Sequence, residues 1–256
     1  MSFRQTDAIV LRLFNYGEAD RVAHFLTEDR GIVHGFVQGA RRLKSRFGGR
    51  IDLLNHGLLF YFEKSDEHLV TIQNFDLFNS FRNIKAELTH SYRAMAIAEL
   101  AYLMCQQMTP DRQLYKIFLA FLKALEAPGS DSHSLLVLFE MFAIHHEGYT
   151  PPLDSCRVCR APPTYPLQWL RQQGTLMCQR CYKPGFGSAI EVSAEFPSLF
   201  KAMMSPDVKS LNRLTINPKL LPDMELFCFE YLRFHLDFQS RTENIFRFIM
   251  GSDLHI

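Results

Sequence analysis

The sequence predicts an α+β protein of more than one domain, in which a five-stranded β barrel precedes a helical domain that carries an inserted four-cysteine module. Three observations support this prediction. Strand-like segments bounded by turn residues fill about the first 80 residues. Apolar residues then recur at helical spacing, and two Cys-x-x-Cys pairs interrupt the helical part. We therefore expect a barrel domain at residues 1–80 and a helical domain at 81–256, with the cysteine module at 154–184.

Five segments near the N-terminus have β-branched, aromatic and alternating residues, as strands do. They are "AIVLRLF", "RVAHFLT", "IVHGFVQG", "GLLFYFEK" and "LVTIQNFDLF", separated by turn-forming stretches such as "NYGEAD", "EDRG" and "SDEH". Five short antiparallel strands suit a closed barrel, because closure removes the exposed edges of a sheet. The OB-fold is the best-known five-stranded barrel, and an SH3-like barrel is the alternative that this pattern leaves open.

Amphipathic helices are predicted from about residue 84. The segments "ELTHSYRAMAIAELAYLMCQQM", "DRQLYKIFLAFLKALE" and "HSLLVLFEMFAIHHEGY" repeat apolar residues every three or four positions, and Gly148 is a suitable helix stop. Two more helical segments, "SAEFPSLFKAMMS" and "PDMELFCFEYLRFHLDFQSRTENIFRFIM", follow the cysteines. Because helices lie on both sides of the cysteine module, we interpret it as an insertion.

The cysteine spacing points to a metal site. Two Cys-x-x-Cys pairs stand eighteen residues apart, and the segments "TYPLQWL" and "TLMC" between them predict a hairpin that brings the pairs together. We expect one Zn²⁺ per chain, in a structural role because four thiolates leave no open position; the ligands would be Cys156, Cys159, Cys178 and Cys181. Unliganded thiols or a redox pair are the alternatives. Cys105 and Cys228 lie in apolar helical patterns, which indicates small buried residues.

Composition and motifs exclude several classes of protein. The 256 residues carry a formal net charge of +1 and contain no apolar run as long as a membrane span. The N-terminus lacks a secretion signal, so we expect a cytoplasmic protein without membrane contact. Neither a Walker A loop nor the patterns G-x-S-x-G and G-x-G-x-x-G are present, and we expect no enzyme activity.

One segment, "GARRLKSRFGGR", concentrates positive charge in this nearly neutral chain. It lies between two predicted barrel strands and has no acidic residue, so it suits a loop that follows a phosphate backbone. A solvated surface is the simpler alternative. Phe36 and Phe47 are suited either to stacking on bases or to the core. The candidate DNA contacts are Arg41, Arg42, Lys44, Arg46 and Arg50.

The order of these segments resembles the RecO family of bacterial recombination mediators. "FVQGARRLKSRF" is similar to that family's Gly-Ala-Arg/Lys segment, "FEMFAIHHEGYTPPLDSCRVC" to its helix and first cysteine knuckle, and "CQRC" and "YLRFHLDFQSRTENIF" also fit. The resemblance implies an N-terminal OB-fold, a helical C-terminal domain and, in many members, zinc. It also implies that the protein binds single- and double-stranded DNA, anneals complementary strands and takes part in DNA-damage repair and recombination in the RecFOR pathway.

The resemblance further implies protein partners. These are RecR and the acidic tail of single-stranded DNA-binding protein, and together they help load the RecA recombinase. Some relatives carry arginine in the helix before Gly-Tyr, whereas here that helix reads "LLVLFEMFAI", so the tail site stays unassigned. Two other functions remain open from the residues alone: an OB-fold protein that binds RNA, and a zinc-containing adaptor that binds only proteins.

Overall fold

The computed structural model describes residues 2–63, 69–105, 110–183, 185–206 and 211–236. The chain divides into two compact units, Met1–Pro128 and Gly129–Ile256. Over the described ranges, no helix is both long enough and apolar enough to cross a membrane. Three predicted stretches lie wholly or partly outside the described residues: the turn at 65–68, the end of the helix at 87–108, and residues 237–250 of the last helix.

The first unit contains a closed barrel of five strands. The strands are β1 (Ser2–Tyr16), β2 (Asp20–Thr27), β3 (Gly31–Val37), β4 (His56–Glu63) and β5 (Leu69–Asn79). They neighbour one another in the order β1-β2-β3-β5-β4, with β4 returning to β1. All five predicted segments form strands, and the helices follow them as predicted.

The first strand is longer than predicted because it serves two partners. Its N-terminal half pairs with β4, from Ser2 with Glu63 to Ile9 with His56, and its C-terminal half pairs with β2. The ladder with β2 is irregular between Val10 and Arg12. The first residues of β1 are mostly exposed and polar, so they lack the hydrophobic alternation that predicts a strand.

The prediction that all strands are antiparallel is wrong for one pair. β3 and β5 run parallel, with His34 opposite Leu69 and Phe36 opposite Thr71, while the other four pairs are antiparallel. The number of strands explains this difference. A closed ring with an odd number of strands cannot alternate direction at every step, so one adjacent pair must be parallel.

Aromatic and branched residues fill the barrel. Phe25, Phe75 and Tyr61 are almost fully buried there with valine, isoleucine and alanine side chains. Gly35 faces this core at a point where a Cβ atom would overlap the Ile72 side chain, so the close packing requires glycine. Burial of this apolar surface from water is the main stabilising contribution to the barrel.

The described residues of the first unit also form three helices: α1 (Arg82–Ala86), α2 (Leu88–Met104) and α3 (Arg112–Glu126). Asp111 caps α3, because its carboxylate accepts a hydrogen bond of 2.8 Å from the Leu114 N–H. α3 is apolar along one side, which packs inside the unit. Glu126 at its end accepts hydrogen bonds from the N–H groups of Asn83 and Ile84 and so fixes α1 to α3.

The described part of the second unit contains three α-helices and a small sheet. The helices are α4 (Ser132–His146), α5 (Phe196–Met204) and α6 (Leu221–Leu236), and the sheet has the order β7-β6-β8 with β6 (Leu167–Leu170), β7 (Thr175–Cys178) and β8 (Ala189–Val192). α4 packs against α5 and α6. Gly148 ends α4 as predicted, with a φ of 82° that favours glycine. β8 was not predicted, because it is held by pairing with β6, which is distant in the sequence.

Candidate metal centre and nucleic-acid interface

The four predicted ligand cysteines lie together in the second unit. Their sulfur atoms are all within 4.8 Å of one another, and the Sγ atoms of Cys159 and Cys178 are 3.9 Å apart. Four thiolates around Zn²⁺ at about 2.3 Å form a tetrahedron with an edge of about 3.8 Å. The arrangement therefore fits a four-coordinate metal ion.

Local backbone structure brings the two cysteine pairs together. β6 and β7 form the predicted hairpin, with Leu167 opposite Cys178. Each Cys-x-x-Cys pair is a tight turn: the Arg160 N–H donates to the Cys156 carbonyl at 2.9 Å, and the Cys181 N–H donates to the Cys178 carbonyl at 2.9 Å. The first turn then meets β7, because the Arg157 N–H donates to the Leu176 carbonyl.

Hydrogen bonds and crowding set the ionisation of these thiols. Burial raises the pKa of Cys156, but the backbone N–H groups of Cys159, Cys178 and Val158 outweigh burial and lower it to about 6. Burial and the hydrogen bonds of the other three thiols raise the pKa of Cys181 to about 12. Thiolates this close repel one another, so ionisation of all four requires a bound cation.

The donor set indicates a closed site. All four positions of a tetrahedron are taken by cysteine, which leaves no place for a water molecule or a substrate on the metal. Such a site stabilises the turns that it joins rather than performing chemistry.

The other two cysteines are buried as predicted, Cys105 in the first unit and Cys228 in α6, where burial raises the pKa of the Cys228 thiol.

The basic segment forms an irregular loop between β3 and β4 in the first unit. Its beginning is fixed to the turn between β1 and β2. The Arg41 N–H donates to the Ala19 carbonyl at 2.9 Å, the Arg41 guanidinium donates to the Gly17 carbonyl at 3.0 Å, and the Gly39 N–H donates to the Asp20 carboxylate at 2.6 Å. The loop is thus attached to the barrel at this end.

The five predicted DNA contacts differ in exposure and partners. Arg41, Arg42 and Lys44 are exposed, and the described part of the chain contains no ion-pair partner for them. Arg46 is exposed too, but it donates to the Ile72 carbonyl and lies over the Phe47 ring at 4.9 Å. Arg50 is half-buried and pairs with Asp76 at 3.8 Å.

The two phenylalanines considered for base stacking have separate environments. Phe47 is only 2% exposed and belongs to the barrel core, so that part of the stacking hypothesis is wrong. Phe36 is half-buried on the outer side of β3 and meets the Tyr16 ring edge-on at 5.7 Å. The sequence interpretation missed Tyr16 and Phe14, which are exposed at the end of β1; their alternation with the partly buried Leu13 was the available signal.

The chain matches two models of one protein family. A family model described as the N terminal part of recombination protein O matches residues 1–81, and one for the C terminal part matches residues 86–242. The chain belongs to the RecO family. Together the two models cover the barrel, the helices α2 to α6 and the cysteine centre, while α1 lies almost entirely between the two matched ranges.

Curated relatives of this chain are named as members of the same family. DNA repair protein RecO of Dehalococcoides mccartyi strain CBDB1 is 28% identical to this chain over 93% of it and 92% of the relative. DNA repair protein RecO of Anaeromyxobacter sp. strain K is 32% identical over 73% of each chain, and that of Myxococcus xanthus is 29% identical over 68% of this chain and 71% of the relative. The chain is thus a DNA repair protein of the RecO family.

The RecO models and the packing divide the chain at different places. The N terminal model ends at residue 81, close to the end of β5, whereas the first compact unit continues to Pro128. The helices α1 to α3 therefore belong to the same compact unit as the barrel, with α2 packed on β1 and on the other two helices, although the C terminal model matches α2 and α3. The domain boundary at residues 80 and 81 stays a prediction from the sequence.

Proposed function

We propose that this protein is a non-enzymatic recombination mediator that binds single- and double-stranded DNA through its barrel and anneals complementary strands. In this proposal the five strands are an OB-fold domain at residues 1–80, and residues 81–256 form the helical domain. The observation that carries the proposal is the basic loop. Its Arg41, Arg42 and Lys44 side chains are exposed, and the loop is attached to the barrel through the backbone and side chain of Arg41.

Charge and topology support DNA as the ligand. The segment from Gly39 to Arg50 has five cations and no acid, although the whole chain is nearly neutral. Its cations can therefore replace the counterions of a phosphate backbone. The strand order, with β3 parallel to β5 in a closed five-stranded barrel, suits the OB-fold, whose strand 2–3 face and neighbouring loops bind oligonucleotides. Arg46 and Arg50 take part at the edge of this surface.

The metal in this proposal is one structural Zn²⁺ per chain. Thiolate ligands in two Cys-x-x-Cys turns are typical of such sites. The metal would hold the β6–β7 hairpin to the turn at Cys156 and Cys159, and it would take no part in DNA chemistry. This assignment rests on the sulfur geometry of the four cysteines.

The proposed protein partners come from the family resemblance. The protein would act in the cytoplasm with RecR and with the tail of single-stranded DNA-binding protein, and it would help to load RecA. α4 has no lysine or arginine and is almost entirely buried, so it offers no cationic surface for an acidic tail. The tail site would therefore lie on another element.

A salt titration tests the DNA interface. For single strands, log affinity falls with log salt by about 0.7 for each phosphate contact. We expect the double variant Arg41→Ala/Arg42→Ala to bind more weakly and to flatten this slope by about 1 to 1.5 if both residues touch phosphate. Binding of labelled single-stranded DNA, duplex DNA and an RNA strand of the same sequence would be measured by fluorescence anisotropy.

A matched control separates a local effect from a general loss of charge. Lys116 in α3 is also exposed, belongs to the same unit and forms only a loose ion pair with Glu28 at 3.9 Å. Lys116→Ala should leave affinity and slope unchanged. Wild-type affinity and slope in the Arg41→Ala/Arg42→Ala protein would overturn the assignment of this loop, and tighter binding of RNA than DNA would favour the RNA-binding alternative.

A further inference from the structure

The outer side of β1, β2 and β3 contains a row of aromatic residues. In the ladder Phe14 lies opposite Val22, and Val22 lies opposite Phe36. Tyr16 is two residues beyond Phe14, so both side chains are on the same side of β1. Leu13, the residue before Phe14, packs against the barrel core, which places Phe14 and Tyr16 on the outside. We name Phe14, Tyr16 and Phe36 the aromatic face.

Two rings of the aromatic face are open to solvent. Tyr16 is 60% exposed and Phe14 is 47% exposed. Tyr16 meets Phe36 edge-on at 5.7 Å, and Phe14 lies 5.1 Å from the His24 ring. Each of the two rings thus packs against a partly buried neighbour and keeps an accessible surface. Aromatic surface of this kind is available to a flat ligand.

The aromatic face adjoins the basic loop. Tyr16 ends β1, and the turn that follows accepts two hydrogen bonds from Arg41, through the carbonyls of Gly17 and Ala19. Phe36 lies next to the start of the loop, because the loop begins just after β3. Cations for phosphate and rings for bases are therefore side by side on one part of the barrel.

We infer that the aromatic face stacks on unpaired bases while the basic loop holds the adjoining phosphates. This inference rests on the proposed DNA-binding function and specifies its preferred ligand as single-stranded DNA. Every base has a π-face, so stacking on Tyr16 and Phe14 binds single strands with little regard to sequence. In a duplex the bases already stack on each other, and only the phosphates remain for the loop.

The barrel supplies a matched control. Phe3 lies near the other end of β1, is 57% exposed and packs on Phe62 and Phe60 with ring centroids 5.4 and 6.2 Å away. The described cations at this end of the barrel, Arg4 and Arg30, both pair with Glu63, at 3.4 Å and 2.7 Å. Among the described residues, Phe3 thus has similar exposure and packing but paired cations beside it.

The test compares binding of three DNA probes by the full-length protein. They are a labelled oligothymidylate, an oligomer of abasic sites with the same number of phosphates, and a duplex. We expect Phe14→Ala/Tyr16→Ala to weaken oligothymidylate binding by about fivefold or more. The slope of log affinity against log salt should not change, and binding of the abasic oligomer and the duplex should stay at the wild-type level.

Two further variants keep the result interpretable. Tyr16→Phe retains the ring and should bind all three probes as wild type does, while Phe3→Ala should change none of them. Unchanged oligothymidylate binding in Phe14→Ala/Tyr16→Ala would overturn the inference, as would an equal loss for all three probes. Either result leaves the proposed function standing if Arg41→Ala/Arg42→Ala still weakens binding and flattens the salt slope.

Discussion

The five cations of the loop between β3 and β4 form one group in the sequence but two groups in the structure. Arg42 and Lys44 present their charges to solvent. Arg41, Arg46 and Arg50 also donate to backbone carbonyls, Arg41 to Gly17, Arg46 to Ile72 and Arg50 to Phe47. These three therefore stabilise the loop on the barrel as well as adding charge. Charge patterning alone cannot distinguish these roles, because the distinction depends on which carbonyls the fold brings near.

His56 gives the barrel a pH-dependent stability. It is buried at the start of β4, where burial and the nearby Lys123 charge lower its pKa to about 4. In the unfolded chain the pKa returns to about 6.5, so the unfolded state binds the proton first as the pH falls. The free energy of unfolding is therefore full above about pH 6.5 and decreases as the pH falls towards 4.

The measurement compares wild type with His56→Gln at pH 7 and pH 5. Urea unfolding followed by circular dichroism should show a smaller pH-dependent loss in the variant, by about 1–2 kcal/mol. Groups other than His56 contribute equally to both proteins, so the difference reports this residue. Equal losses in the two proteins would show that the folded barrel accepts a proton at His56 near the ordinary pKa.

At the scale of elements, the β6–β7 hairpin is the part of the second unit whose stability should depend on the metal. Protein purified without added metal is expected to contain about one equivalent of zinc by elemental analysis. Cys178→Ser should lower this content and the unfolding temperature of the second unit, because the site joins the hairpin to the first cysteine turn. The barrel should stay folded.

Trp169 provides the readout for this prediction. It is the sole tryptophan of the chain, lies in β6 and packs against Phe227 of α6 with ring centroids 5.4 Å apart. Its fluorescence therefore reports the second unit, while circular dichroism reports both units. Cys105→Ser in the first unit is the control and should keep its zinc. Absence of metal in the wild type, with four freely titratable thiols, would contradict the prediction.

Most elements were predictable because their signals are local. The helices α2 to α6 and the β6–β7 hairpin follow from apolar periodicity and turn residues that a short window contains. The first residues of β1 and the strand β8 were not predicted, because each is held by pairing with a distant strand. The metal site was predictable for the same reason as the helices, since the cysteine spacing is itself local.

At the scale of the whole molecule, the expected activity is pairing of complementary strands without ATP. A protein that neutralises phosphates lowers the repulsion between two single strands, and the sequence contains no nucleotide-binding loop that would make hydrolysis necessary. The wild-type protein should therefore speed annealing of complementary oligonucleotides, measured by fluorescence quenching. Arg41→Ala/Arg42→Ala should anneal more slowly, and Lys116→Ala should match the wild type.

Two results would contradict this expectation. One is a wild-type protein that binds DNA but leaves the annealing rate unchanged. The other is acceleration that appears only when ATP is hydrolysed.

At the scale of the whole molecule, the sequence predicted the order of barrel, helices and cysteine module, but not the division of the chain after Pro128. That division depends on the packing of α1 to α3 with the barrel, which involves contacts between distant residues.

The shared strand β1 has a consequence for how the protein is made. Its N-terminal half pairs with β4, and Ser2 lies opposite Glu63, so a ribosome must synthesise the whole basic loop before this half can pair. Until then the nascent chain has only the hairpins of β1, β2 and β3, with an unprotected edge along Ser2 to Asp7. Contacts between distant residues form slowly. Closure is therefore the last step in forming the barrel, and it is the step at which premature association between chains competes with folding.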